Sequence, residues 1–383
     1  MAIPTPANYL AASAPVAGGR FVLSDFWRNL GPGWTELTPA GTKPPFGLMA
    51  YSGSAWDMKR GKVYFQGGGH GDYGGNEVWE WDYENRTANF VKHYEPDFFD
   101  IYGVGTPEQQ YAALAPYVDN VNFPGAVVRG GVPTRPISRH TYGSLVWLEH
   151  LGKFTVGGGS TYSSMSPVMY WDNVWLNSPE DLWLYDPVTK TFDYKGSRLL
   201  DPNFRPRSRF ALHEGRRKVY SVSSNMSNVP QVSSYDTDTN TWRIHPNTAP
   251  SEGITEVRWA VDTLRDRLVV MLVHPGSVTS LWAYDLTTEQ WSPITATGDA
   301  PGPSYSEDWA IYAEHLDEVW YVSTHTAGIK KLDLQTNTGR AEVISGPSFI
   351  HSSSNWFYDR RRKVALLAYQ TLAGTQIWAY KGT

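Results

Sequence analysis

From residue 182 onward the chain repeats one unit, a strand followed by an Asp-led turn and an aromatic, and its last copy is incomplete. The copies read Leu182-Trp183-Leu184-Tyr185-Asp186 to Phe192, Ser233-Ser234-Tyr235-Asp236 to Trp242, and Leu281-Trp282-Ala283-Tyr284-Asp285 to Trp291. A fourth is Lys331-Leu332-Asp333, and a fifth, Ile377-Trp378-Ala379-Tyr380, reaches the C-terminus without its aromatic strand. Near the other end, Gly33-Trp34-Thr35-Glu36-Leu37 is an aromatic strand with nothing before it. A ring of sheets in which this N-terminal strand completes the last unit leaves no seam open.

Tyr185, Tyr235, Tyr284, Leu332 and Tyr380 follow one another at about 50 residues, the period of a propeller blade. One more copy, Val78-Trp79-Glu80-Trp81-Asp82, lies about two periods before Tyr185. The intervening stretch 98–137 holds Pro107, Pro116, Pro124, Gly130-Gly131 and Pro133, and shows no alternating run. The count is therefore six blades and one long insertion, about 98–137. Each marker follows short β-branched or aromatic runs such as Lys62-Val63-Tyr64-Phe65, Lys218-Val219-Tyr220 and Leu268-Val269-Val270-Met271, bounded by turn residues. No segment sustains a helical period. The prediction is an all-β chain, a six-bladed propeller closed by an N-terminal strand, with an arm over 1–32 and a single domain over 33–383.

The paired-glycine runs Gly67-Gly68-Gly69 and Gly157-Gly158-Gly159, the Trp or Tyr near each third strand and the aromatic opening each fourth strand resemble the kelch family of galactose-oxidase-like propellers. The resemblance covers about residues 33–383 as architecture. It implies a fold rather than an activity, because such propellers serve as enzymes, adhesins and scaffolds.

Composition narrows the classes. There is no Cys, which removes disulfides, thiolate chemistry and the Tyr-Cys crosslink that copper oxidases of the resembled fold need. A net charge of −5 with scattered signs argues against nucleic acid, which asks for a basic face. Met1-Ala2-Ile3-Pro4-Thr5-Pro6 has no basic start and no apolar core, so no secretory signal is expected, nor a membrane span. The expected setting is cytoplasmic or virion-associated. With 17 Trp and 23 Tyr the chain is rich in rings, most of them destined to wedge between blades and the remainder suited to stacking on sugars.

Polar residues at the starts of innermost strands and the ends of second strands are the candidates for a site at the channel mouth. For binding these are Arg139, Arg207, Arg258, Glu256, Glu307, His274, His325 and His351, with Tyr102, Tyr111 and Tyr117 from the insertion. His70, His140, Tyr142 and Arg209 have the residue types for β-elimination on a uronate, with Arg neutralising the carboxylate and His or Tyr moving protons. The alternative is that these Arg and His side chains tie blades together through backbone carbonyls. In Gly67-Gly68-Gly69-His70-Gly71-Asp72-Tyr73-Gly74-Gly75-Asn76-Glu77, four side chains have cation-ligating types, but the spacing matches no zinc or calcium loop. No metal and no cofactor are expected. Two functions remain. One is a binding or structural propeller that recognises glycan or protein surface, a phage or prophage particle component among the possibilities, whose insertion offers a contact for homo-oligomers. The other is a carbohydrate-active enzyme, an acidic polysaccharide lyase or a sugar isomerase. The first is preferred, because no catalytic constellation stands out from the polar ends of six blades.

Overall fold

The computed structural model describes residues 23–39, 52–67, 75–95, 126–141, 143–158, 160–161, 181–197, 209–224, 229–246, 250, 254, 256–299, 309–322, 328–343, 354–371 and 374–382. They form six antiparallel blades, each built outward from an inner first strand to a fourth. Blade 1 comprises Ser54–Asp57, Lys62–Phe65, Trp79–Asp82 and Val91–Lys92, and blade 2 Trp147–Leu148, Lys153–Gly157, Asp181–Asp186 and Thr191–Ser197. Blade 3 comprises Ala211–His213, Lys218–Ser224, Pro230–Asp236 and Thr241–Ile244, and blade 4 Glu256–Asp262, Arg267–Val273, Thr279–Asp285 and Trp291–Pro293. Blade 5 comprises Trp309–Ala313, Glu318–Val322, Gly328–Asp333 and Thr338–Val343. Blade 6 has Ser354–Asp359, Val364–Thr371 and Gly374–Lys381, and its outer strand is Gly33–Glu36.

The repeated Asp is explained by the turn it opens. Its carboxylate accepts the backbone N–H groups two and three residues on, as in Asp186 with Val188 and Thr189, or Asp285 with Thr287 and Thr288. The residue before the fourth strand, Lys190 or Asn240 for example, then takes a left-handed conformation that returns the chain. The aromatics wedge between blades. Tyr185, Trp183 and Phe154 of blade 2 share a core with Tyr64 of blade 1, and Tyr380 and Trp356 of blade 6 share one with Trp320 of blade 5.

Closure is as the truncated repeat requires. Gly33 pairs with Lys381 and the register runs to Glu36 against Trp378. The packing begins earlier than residue 33. Trp27, in a short helix over Asp25–Arg28, and Leu30 are buried among side chains of blades 1 and 6, and Lys381 Nζ donates to the Leu30 carbonyl at 2.8 Å. A second departure lies in the insertion, where no alternating run was expected. Ala126–Arg129 and Val132–Pro136 form a hairpin, because the β-branched Val127 and Val128 precede Gly130 and Gly131, both at positive φ in the turn. The hairpin is held to blade 1 through Asn76, which donates to Pro136 O at 3.1 Å, and through Arg135, stacked 4.1 Å from the Tyr94 ring. Thr297–Gly298 adds a parallel strand to the outer edge of blade 5, which blunts an edge open to aggregation. No helix among the described residues is long and apolar enough to cross a membrane.

The face carrying the turns between first and second strands, here the turn face, is tied from blade to blade. Arg362 of blade 6 binds Glu84 and the Met58 carbonyl of blade 1, Arg216 of blade 3 grips Asp266 of blade 4, and Arg265 of blade 4 holds Asp317 of blade 5 at 2.7 and 2.6 Å. The seam between blades 3 and 4 also buries two histidines. His213 Nδ1 accepts the Arg216 N–H, and His245 lies between Ser234 and Glu289. Burial pushes both imidazoles below their ordinary value and outweighs the nearby Asp266 and Glu289, carboxylates already engaged by Arg216 and Arg243. The unfolded chain takes up these protons near pH 6.5, the folded chain only at lower pH. The stability they provide is therefore complete above about pH 6.5 and is lost as pH falls below it. The melting temperature is expected to drop between pH 7.5 and 5.5, and the double variant His213→Gln/His245→Gln to show a smaller drop in the same thermal scans.

Candidate functional site

In each blade the first strand starts, and the second strand ends, on the face opposite the turns, here called the loop face. Arg139, His140, Arg209, Glu256, Arg258 and His274 are the sequence-predicted site residues among those described. His70, Tyr142, Arg207, Glu307, His325, His351, Tyr102, Tyr111 and Tyr117 lie outside the described residues.

Arg139 and His140 were placed on an innermost strand by sequence. They instead pair with Ser160–Thr161 in a separate ribbon, so the inner strand of blade 2 is confined to Trp147–Leu148. Arg139 is fully buried. Its guanidinium forms a two-pronged ion pair with Asp181, at 3.1 Å on one side, and donates to the Gly158 and Ile137 carbonyls at 3.2 and 3.3 Å. Trp183 Nε1 also donates to the Asp181 carboxylate. Burial pushes the Asp181 carboxyl up, against the opposing pull of Arg139. This is a cross-tie that fixes the ribbon to blade 2. His140 is buried as well. In blade 4, Arg258 is 2% exposed and pairs with the half-buried Glu256 at 3.0 Å. His274 hydrogen-bonds Ser280 at 2.9 Å across its own hairpin. Of the glycine-rich segment, Asn76 is engaged with Pro136, and Glu77 accepts from Trp79 Nε1 at 3.0 Å. Among the described residues no three His, Cys, Asp or Glu side chains gather as a metal centre.

Arg209 leads to the throat of the channel. Its guanidinium lies 4.2 Å from the ring centroid of Trp309, which reaches from blade 5 toward blades 2 and 3. The tip of that indole fills the place of a side chain at Gly143, where an added Cβ would lie 2.6 Å from Trp309 Cη2 and 3.3 Å from Arg209 Cγ. Gly143 is at φ +93°, and its carbonyl accepts the Phe210 N–H at 3.1 Å. Gly53 presses its backbone on the same spot, where a Cβ would come 2.8 Å from Gly143 Cα, and its N–H donates to Thr141 Oγ1 at 2.7 Å. Segments of blades 1, 2, 3 and 5 thus converge behind one Arg–Trp stack. The remaining surface of Trp309 packs toward the core between blades 5 and 6. At the opposite mouth, Arg360 of blade 6 binds Glu214 of blade 3 and approaches Glu314 of blade 5 at 3.6 Å.

Sequence reasoning found Arg209 but missed Trp309, Gly143 and Asp181. The signals were present, a Trp directly after Glu307-Asp308 and a Gly in the matching place of blade 2, but their meeting depends on blades 2 and 5 standing across the ring. No model of a known protein family matches the chain, and no curated protein matches it in sequence. Among solved structures it is similar to a chain from a nidogen/laminin complex, with a TM-score of 0.42 and 8% identity over 76% of this chain and 78% of that one.

Proposed function

We propose that this chain is a binding or structural propeller of the kelch kind whose loop face receives a glycan or a protein surface, as a free binder or as a subunit of a particle. The observation that carries the reading is that the candidate Arg side chains among the described residues are engaged within the protein. A catalytic propeller of the sort weighed above needs Arg and His side chains converging on a cleft, whereas here Arg139 is spent on Asp181, Arg209 on Trp309, and Arg258 lies beside Glu256. A surface built this way holds a partner over a broad contact, and tolerates imprecise geometry that proton transfer would not. The kelch reading draws support from Gly67 and Gly157. At Gly67 a Cβ would meet Ser52 and the Arg139 carbonyl, and at Gly157 the Asp181 carbonyl, so the paired glycines let neighbouring backbones close in.

The test is retention on immobilised polysaccharides and on whole cells, with ultraviolet absorbance followed on incubation with uronate polymers. Retention that weakens in Glu256→Ala or Arg209→Ala, without an absorbance rise, supports the reading. A rise that disappears in Arg209→Ala would replace it with a lyase.

A further inference from the structure

The turn between the first two strands of blade 6 reads Asp359-Arg360-Arg361-Arg362-Lys363, and its three arginines leave the blade in three directions. Arg362 is buried against blade 1, where it binds Glu84 and the Met58 carbonyl. Arg361 reaches Glu149 of blade 2 at 3.6 Å. Arg360 binds Glu214 of blade 3 and lies 3.6 Å from Glu314 of blade 5. Glu314 in turn accepts from Thr263 of blade 4 at 3.3 Å. One turn is thus linked to all five other blades, to blade 4 through Glu314. Blades 3 and 6 stand opposite each other in a ring of six, so the pair Arg360–Glu214 crosses the axis.

Register explains why the charges meet. The last pairs of the first two strands are Leu148 with Lys153, His213 with Lys218, Ala313 with Glu318 and Asp359 with Val364. The residue after each first strand therefore holds the same place in its turn, and it is Glu149, Glu214, Glu314 and Arg360. Blades 1 and 4 have Met58 and Thr263 there. Three carboxylates on one tier converge on the single guanidinium of that tier, with Arg361 one step further along. Burial acts to lower the Arg360 value, yet Glu214, Glu314 and Glu149 together raise it. The base of the turn is fixed independently, since Asp359 accepts the Arg361 and Arg362 N–H groups at 2.9 and 3.0 Å.

We propose that Arg360 and Arg361 form an acid-released strap across the axis on the turn face, held while Glu149, Glu214 and Glu314 are ionised and freed when they take up protons. Burial, with Asp57 and Glu214, pushes the Glu149 carboxyl up against Trp147 Nε1 and Arg361, so release begins above the ordinary value of 4.5. Because its folded-state value is the higher one, ionised Glu149 costs stability, and that cost is relieved as pH falls; release at Glu149 does not itself unfold the ring. The surrounding cations stay. Arg60 of blade 1 lies 4.9 Å from the Trp147 ring and binds Asp57. Burial and Arg217 hold the His150 imidazole below its ordinary value, and burial and Lys363 take His315 down to about 4. These imidazoles gain charge as the carboxylates lose theirs, so attraction across the axis turns into repulsion.

The experiment is 15N NMR of the arginine Nε–H groups on the full chain, with Arg360 and Arg361 assigned through Arg360→Lys and Arg361→Lys. At pH 7.5 both should show the heteronuclear NOE of an ordered group. At pH 4.0 both should move to the position of free arginine and lose at least half of that NOE, while Arg362 keeps its own. Glu149→Gln/Glu214→Gln/Glu314→Gln should free both guanidinia already at pH 7.5. Arg360 still ordered at pH 4.0, or in the folded triple variant, overturns the proposal. So does loss of order at Arg362 in step with Arg360, which would mean that acid melts the ring as a whole. The pH series needs no variant beyond the two used for assignment and decides the matter even where the triple variant does not fold.

Discussion

A chain lacking residues 1–38 is expected to lose cooperative unfolding and to aggregate. The deletion strips blade 6 of its outer strand and exposes the long edge Gly374–Lys381, an invitation to pair with other chains. It also removes Trp27 and Leu30 from the core between blades 6 and 1, and the Trp34 ring from contacts with Trp356 and Tyr380 at 5.4 and 5.2 Å. Truncating one buried Trp costs about 3–5 kcal/mol, against a total stability of about 5–15 kcal/mol for a native domain. Three large side chains and a strand therefore exceed the reserve. Trp27→Ala alone should cost about 3–5 kcal/mol in denaturant titration. Deleting residues 1–20 leaves Trp27, Leu30 and the strand in place and should be far milder. A chain spanning 39–383 with an unchanged melting temperature would refute closure by the N-terminal strand.

The ring was legible in the sequence because each blade is specified locally. An Asp whose carboxylate reaches backbone two and three residues away, followed by an aromatic on the return strand, is a pattern of a few residues, and repetition at one period turns it into a fold. What escaped depends on partners far along the chain. Trp27 carries no pattern of its own, and its burial is set by Tyr83, Trp56 and Leu366 across the closing seam. The hairpin over Ala126–Pro136 was hidden by Pro133 and Pro136, residues that ordinarily argue against a strand. At the place of Trp79, Trp183, Trp282 and Trp378, blade 3 carries Ser233 and blade 5 Lys330, and only the strand pairing shows which residues face them, Ser221 and Tyr321. Likewise a sequence shows that an Arg is present and needs a counter-charge. It does not say whether that charge is a ligand or a carboxylate elsewhere in the fold.

Arg139 decides that last question, and the expected result is a loss of stability. Arg139→Met should cost about 3–5 kcal/mol, because it leaves the Asp181 carboxylate buried without its counter-charge. That burial pushes this carboxyl up even with a guanidinium in contact indicates how unfavourable a lone carboxylate would be. Asp181→Leu should cost a similar amount, since it leaves the buried guanidinium without its carboxylate counter-charge. The double variant Arg139→Met/Asp181→Leu should recover much of the loss, because two apolar side chains of comparable volume need no pairing. Denaturant midpoints of the four chains give the coupling directly. A ligand-binding Arg predicts the opposite pattern, with near-native stability in Arg139→Met and retention on glycans or cells lost. A cross-tie makes retention fall only in step with the folded fraction, so measuring both on one preparation separates a residue that holds the ring from one that holds its partner.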